Sequence, residues 1–175
     1  MRYFTGKGDQ GKSSLADGRL ISKGELIFDV IGALDEATAH IGMAISLCQD
    51  LQIINTLRII QDQLSKLMGL LAGVKIQDLE NEFFFKVSIK WLEGKINEFG
   101  GTVDFPEGFL FAGSSSEGAA VDIARTVIRR AERDAVKLFG TIKDHGNDEL
   151  IYLNRLSSLL FVIRLLIDRK SIDQE

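Results

Sequence analysis

The sequence predicts an all-α fold: a five-helix bundle preceded by an irregular, glycine-rich N-terminal arm, all within one domain. Three observations carry this. Pro106 is the single proline in 175 residues, so little interrupts a helix. The intervals between glycine clusters repeat their apolar residues every three to four positions, the helical period, and not every two. Hydrophobic residues make up 45% of the chain, enough at this length for one sizeable core.

Residues 1–24 form the arm, where Gly6, Gly8, Gly11, Asp17-Gly18 and Lys23-Gly24 bring too much turn chemistry for a regular element. The bundle occupies 25–175. Its first helix is expected over about 25–49, with Ile27, Ile31, Leu34, Ile41, Ile45 and Cys48 near one face. The second, about 53–71, carries a seam of Leu57, Ile60, Leu64, Leu67 and Leu71, spaced three and four apart as bundle cores require. A third, about 82–99, holds Phe84, Val87, Trp91 and Leu92 before Gly100-Gly101 and the extended TVDFPEGF break it. Ser114, Ser115 and Ser116 offer N-caps for a fourth helix over about 117–139, which Gly140 stops. After the polar loop DHGNDE, the fifth runs over about 149–169 on Leu153, Leu156, Leu160, Ile163 and Ile167.

Composition narrows the function classes. A net charge of −4, from 21 basic and 25 acidic residues, gives no support for a broad nucleic-acid-binding surface. Cys48 is the only cysteine, and with His40 and His145 the only histidines there is no zinc-type spacing, so a reducing cytoplasm is expected. The opening MRYFTGKGD has no apolar run behind its basic residue, and no uninterrupted apolar stretch approaches the ~18 residues of a membrane span. A soluble protein that is not exported is expected.

The arm holds the first chemical signal. Residues 6–13, GKGDQGKS, fit G-x-x-x-x-G-K-[ST], the P-loop pattern whose backbone N–H groups surround phosphates. A P-loop follows a buried strand and opens a helix in a parallel sheet. Here only 1–4 precede it and the rest is helical, so a doubly wound NTPase fits poorly, and the match is either a glycine-rich surface turn or a phosphate cradle of another lineage. The fourth helix supplies the second signal: Arg125, Arg129 and Arg133 at i, i+4 and i+8, with Arg130 and Glu132 beside them. Like charges at that spacing repel by about 0.2–0.5 kcal/mol per pair. Either local acidic partners solvate a basic face, Arg130 with Asp134 being one such pair, or a bound carboxylate or polyphosphate neutralises it. Asn154, Arg155 and Ser158 form a polar edge on the fifth helix, where an amide can donate and accept at once. Asp35, amid apolar neighbours, calls for a partner, and an arginine of the basic helix is the candidate.

Together these segments resemble the PduO-type (propanediol-utilisation type) family of ATP:cob(I)alamin adenosyltransferases. The resemblance rests on TGKGDQGKSSL at 5–15 with Lys23, VIGALDEATAHIG at 30–42, FLFAGSSSEGAA and ARTVIRRAER over 109–133, and YLNRLSSLLFV at 152–162. It implies a bundle ferritin-like in general shape, assembled as a homotrimer with sites between subunits. It also implies ATP held by Thr5, Gly6, Lys7, Gly8, Ser13, Ser14 and Lys23, by Arg129, Arg130, Glu132 and Arg133, and by Asn154, with Lys12 passed over. On the cobalamin side it implies catalytic roles for Asp35 paired with Arg125, often across the subunit boundary, and for Phe109 against the lower face of the corrin. Mg²⁺ accompanies ATP in that reading, its ligands unassigned, and a reductase and a cobalamin-dependent acceptor enzyme are implied partners. Three departures stand out: Phe109-Leu-Phe-Ala-Gly-Ser114 where the family reads F-x-L-P-G-G, Ser158 where aspartate is common, and Arg164 one residue ahead of the usual arginine. An ATP-binding bundle without catalysis, in a regulatory or cobalamin-carrier role, stays open as the alternative.

Overall fold

A computed structural model describes residues 4, 6, 8–74, 81–140 and 147–172, with side chains described at these positions except 81–83 and 170–172. The five helices are α1 (Leu26–Leu47), α2 (Leu51–Leu71), α3 (Asn81–Gly100), α4 (Ser116–Phe139) and α5 (Asn147–Ile172), preceded by β1 (Lys12–Ser14) and β2 (Leu20–Ser22). The expected all-α bundle is what forms. The strands correct the reading of the arm as free of regular structure. Asp17-Gly18 turns the chain, Gly18 taking φ +89°, and β1 pairs antiparallel to β2 with Ser13 opposite Ile21. Thr5, Lys7 and His145 lie outside the described residues.

Packing follows the large aliphatic seams. Leu57, Ile60, Leu64 and Leu67 of α2 and Leu153, Leu156, Leu160, Ile163 and Ile167 of α5 are all buried, as expected. The α1 stripe keeps Leu34 and Ile41 as expected but is rotated from the rest of the expected face. Val30, Ala33, Leu34, Ala37, Ile41 and Ala44 go inside while Ile27, Ile31 and Ile45 sit at its flanks. The reason lies in α4, the main partner of α1, which buries Ala120, Ala124, Ala131 and Ala135. Alanines on both helices let the axes approach closely, and that contact sets the rotation of α1 more firmly than its isoleucines do. In α3 the buried face is Phe84, Phe85, Ser88, Leu92 and Phe99, one step round from the expected one, leaving Val87 exposed and Trp91 half-buried.

Around the bundle α1 packs on α2 and α4, α4 on α5, and α5 on α3. Tyr152 of α5 is fully buried and donates to Gln63 Oε1 of α2 at 3.1 Å, and burial pushes its hydroxyl pKa far above the ordinary value. Helix starts are capped by Asp50, accepting from the Gln52 and Ile53 N–H groups, and by Ser115, accepting from Gly118 N–H at 3.0 Å. By length and hydropathy, Leu26–Leu47 and Asn147–Arg169 could cross a membrane, but their apolar stripes are core-facing seams of the bundle.

The hairpin is moored to the far end of α2. Leu15 is buried, Ala16 N–H donates to the Ala72 carbonyl at 2.9 Å, and Asp17 lies against Gly73. Gly73 has φ +86°, and a Cβ there would come within 2.5 Å of the Asp17 carboxylate. The Arg19 backbone N–H and guanidinium hold the Asp17 carboxyl below the usual carboxylate range.

Candidate active site

The phosphate-type residues fall into two separate pieces. In the arm, Gly6 and Gly11 both take φ +71°, and Gly11 N–H donates back to the Gly8 carbonyl at 3.3 Å. Lys23 closes this loop: its N–H donates to the Gly11 carbonyl at 2.8 Å and its Nζ to the Gly8 carbonyl at 2.9 Å. The ammonium is thus held over the glycine loop with donors to spare. Lys12, in contrast, lies on a strand and is exposed. The chain after Gly11 is extended where a P-loop would open a helix, so the pattern match does not carry P-loop geometry. Strand alternation also sends half-buried Ser13 and exposed Ser14 to opposite faces.

The second piece lies on α4 and α5. Arg129 and Arg133 are exposed, and Arg133 Nη1 donates to the Arg129 carbonyl at 2.9 Å. Asn154 does both things an amide can do: Nδ2 donates to Glu132 Oε1 at 3.2 Å and Oδ1 accepts from Arg155 Nη1 at 3.0 Å. Arg155 continues the chain to Glu93 of α3 at 3.0 Å. One expected pairing, Arg130 with Asp134, is corrected. Arg130 pairs with Glu36 of α1, while Asp134 takes Lys137 at 2.7 Å. Asp35 points away from the core and is exposed, and within the protomer Arg125 donates instead to Asp122 Oδ1 at 2.8 Å. The α1 carboxylate one residue further on is therefore the one that reaches the basic helix, because Glu36 and not Asp35 lies on the α4 side.

Between α4, α5 and the end of α3 opens a cleft of about 550 Å³. Arg125 and Arg129 line it, with Ser157, Ser158, Phe105 and Phe161 among its other walls. The Arg125 guanidinium stands 5.9 Å from the Phe161 ring centre, and Phe105 meets Phe161 edge-on at 6.5 Å. Phe109 is not on this wall: it is 85% exposed and contacts Phe111, itself 82% exposed, edge-on at 5.2 Å. Sequence reasoning missed Phe105 and Phe161. Phe161 could have been found, since it lies seven residues beyond Asn154 and so on the same helix face. Phe105 gave no signal, because the loop alone decides where it goes. Among the described residues no hydrogen bond or ion pair joins the arm to the α4 arginines within one protomer.

Guanidiniums beside an aromatic-walled cleft, with a lysine-closed glycine loop elsewhere on the surface, mark a helical bundle that presents positive charge and apolar surface side by side. Comparison with known proteins sharpens this. The family model for cobalamin adenosyltransferase matches residues 3–167. The chain belongs to the cobalamin adenosyltransferase family. It is 32% identical to the corrinoid adenosyltransferase of Bacillus subtilis over 98% of this chain and 89% of that one, and 31% identical to that of Mycobacterium tuberculosis over 93% and 86%. A solved Phe→Ala variant of the PduO-type ATP:corrinoid adenosyltransferase from Lactobacillus reuteri, complexed with cobalamin and ATP, superposes with a TM-score of 0.85 at 26% identity, covering 99% of this chain and 96% of that one. An Arg→Lys variant of the same enzyme with ATP gives 0.83 at 28% identity, covering 98% and 95%.

Proposed function

We propose that this enzyme transfers the 5′-deoxyadenosyl group of ATP to the cobalt of reduced cobalamin, giving adenosylcobalamin and triphosphate. The observation that carries the reading is the cleft, where Arg125 and Arg129 share one wall system with Phe105 and Phe161. It offers the fixed positive charge of Arg129 to a leaving triphosphate, beside Arg125 and a flat apolar surface for a large ring. Cobalt(I) is itself the nucleophile: its electron pair forms the Co–C5′ bond as the C5′–O bond breaks, and triphosphate departs with those electrons. No side-chain base is needed. The protein contributes alignment for in-line attack and charge neutralisation.

In this reading Arg129, Arg133, Glu132 and Asn154 bind the nucleotide from the helices, with Arg130 flanking, while Thr5, Gly6, Lys7, Gly8, Ser13, Ser14 and Lys23 bind it from the arm. In this reading the arm of one subunit and the α4 arginines of another complete the site, as in a homotrimer. There, Asp35, exposed on α1, is free to meet Arg125 of another copy. Phe109 covers the lower corrin face and excludes water. Magnesium is assigned to the nucleotide, where it would share the charge of the triphosphate. Cys48, the single cysteine of the sequence, suits a reducing cytoplasm, where a reductase supplies the cobalt electron and an acceptor enzyme takes the product.

The test is an adenosylation assay. Protein, MgATP and chemically reduced cobalamin are expected to yield the light-sensitive adenosylcobalamin spectrum. A silent spectrum with active reductant refutes the reading.

A further inference from the structure

Arg164, noted in the sequence only as an arginine out of register, lies at the centre of a buried polar network. It is 2% exposed, in the middle of α5. Its Nε donates to Asp168 Oδ2 at 3.1 Å, Nη1 lies 3.5 Å from Asp122 Oδ1 on α4, and Nη2 donates to the Phe111 carbonyl. The same Asp122 oxygen accepts from Arg125 Nε at 2.8 Å. Asp168 Oδ1 accepts from the Ser115 hydroxyl at 3.0 Å, and Ser115 is the cap of α4. This last link needs Gly118, since a Cβ there would collide with both the Asp168 carboxylate and Ser115 Oγ.

We propose that Arg164 is a positioning residue for corrinoid: one guanidinium fastens the loop bearing Phe109 and Phe111 to the bundle and, through Asp122, fixes the aim of Arg125 into the cleft. The inference rests on the adenosyltransferase reading. Two arginines and two aspartates balance in charge here, yet burying such a set is costly, and apolar side chains of similar volume would serve stability as well or better. What apolar residues could not do is hold a loop carbonyl and a second guanidinium at defined positions. A rigid planar fork reaches three separate partners at fixed positions, which a compact ammonium on a flexible stem does not. The loop aromatics are more than four-fifths exposed and gain little from core packing, so the tie at Phe111 takes on the work of orienting them. The network touches Arg125 but not Arg129, Arg133 or Asn154, so its effect is confined to the corrinoid side.

The experiment compares wild type with Arg164→Lys, which keeps the charge and loses the fork, and with Asp168→Asn, an isosteric change that loosens the guanidinium while leaving Arg125–Asp122 intact. Each is measured for ATP affinity by calorimetry, for kcat and for the KM of cobalamin. Chymotryptic cleavage at the exposed Phe109 and Phe111 and the spectral fraction of four-coordinate cobalt(II) complete the set. For Arg164→Lys we expect ATP affinity within twofold of wild type, kcat/KM for cobalamin lowered at least tenfold, less four-coordinate cobalt(II), and loop cleavage at least fivefold faster. Asp168→Asn is expected to move the same quantities in the same direction by less, and it carries the test alone should Arg164→Lys not fold. An active wild type with unchanged cobalamin kinetics and loop cleavage in the folded variants overturns the proposal. So does an equal loss of ATP affinity. An inactive wild type sinks the functional reading instead, a distinct result.

Discussion

Replacing Lys23 by alanine separates the glycine cradle seen here from the P-loop that its sequence imitates. The Lys23 ammonium uses one donor on the Gly8 carbonyl at 2.9 Å, leaving two for phosphate oxygens. A hydrogen bond to a charged group contributes about 1.5–3 kcal/mol, and each 1.4 kcal/mol is a factor of ten in affinity. Lys23→Ala should therefore weaken ATP binding by roughly 10- to 150-fold. Lys12→Ala removes an exposed strand side chain and should change it by less than about twofold. The Lys23 bond is solvent-exposed, so the melting temperature should move by no more than about 2 °C, which separates a binding defect from unfolding. Calorimetric titration of both variants with MgATP decides it. A larger loss for Lys12→Ala than for Lys23→Ala would refute the reasoning and restore a P-loop-like role for Lys12.

Arg125→Lys keeps a cation beside Asp122 but loses the fork over Phe161; kcat/KM is expected to fall about 10- to 100-fold, or roughly 1.4–2.7 kcal/mol of transition-state stabilisation, with thermal stability nearly unchanged. Unaltered steady-state kinetics would count against it. Phe109→Ala, at an exposed site, should leave the denaturant midpoint in place while turnover falls at least tenfold, as stopped-flow formation of adenosylcobalamin would record. Tyr152→Phe leaves Gln63 Oε1 buried without its donor, a cost of about 1–3 kcal/mol in urea unfolding at pH 7. The native Tyr152 keeps its proton above pH 10.0, where the unfolded tyrosine releases it, so this residue's stabilisation is whole below pH 10.0 and declines above it. The phenylalanine variant should lose that part of the alkaline slope, and identical slopes for the two proteins would refute the assignment.

The seams of α2 and α5 were legible because leucine and isoleucine at helical spacing leave one choice of buried face. Alanine is a weaker marker. The Ala33–Ala37–Ala44 stripe was outvoted in the sequence by Ile27, Ile31 and Ile45, and only the close contact with α4 reverses the ranking. Ser115 was legible as a cap because three serines precede a helix, and the α4 arginines because their spacing is local. What decides the partners of Asp122, Arg164 and Asp168 is the rotation of α4 against α5, a tertiary quantity that no local pattern encodes. The same holds for Glu36 meeting Arg130 of the basic helix within the protomer. The hairpin escaped notice because three-residue strands are too short to show alternation.

The mooring of the hairpin at Ala72 and Gly73 has a bearing on affinity. Holding a residue in one backbone state costs about 1–2 kcal/mol, and a dangling arm would charge that cost against nucleotide capture, residue by residue. Here Leu15, Ala16 and Asp17 are held by the fold itself, so in the proposed reading that share of the ordering cost does not fall on nucleotide binding. The last turn of α2 is in that sense a silent contributor to the binding constant. Crowding Gly73 with a methyl group, at a position that contacts no ligand, would return the arm to a wandering tether and lower affinity without touching a single binding group.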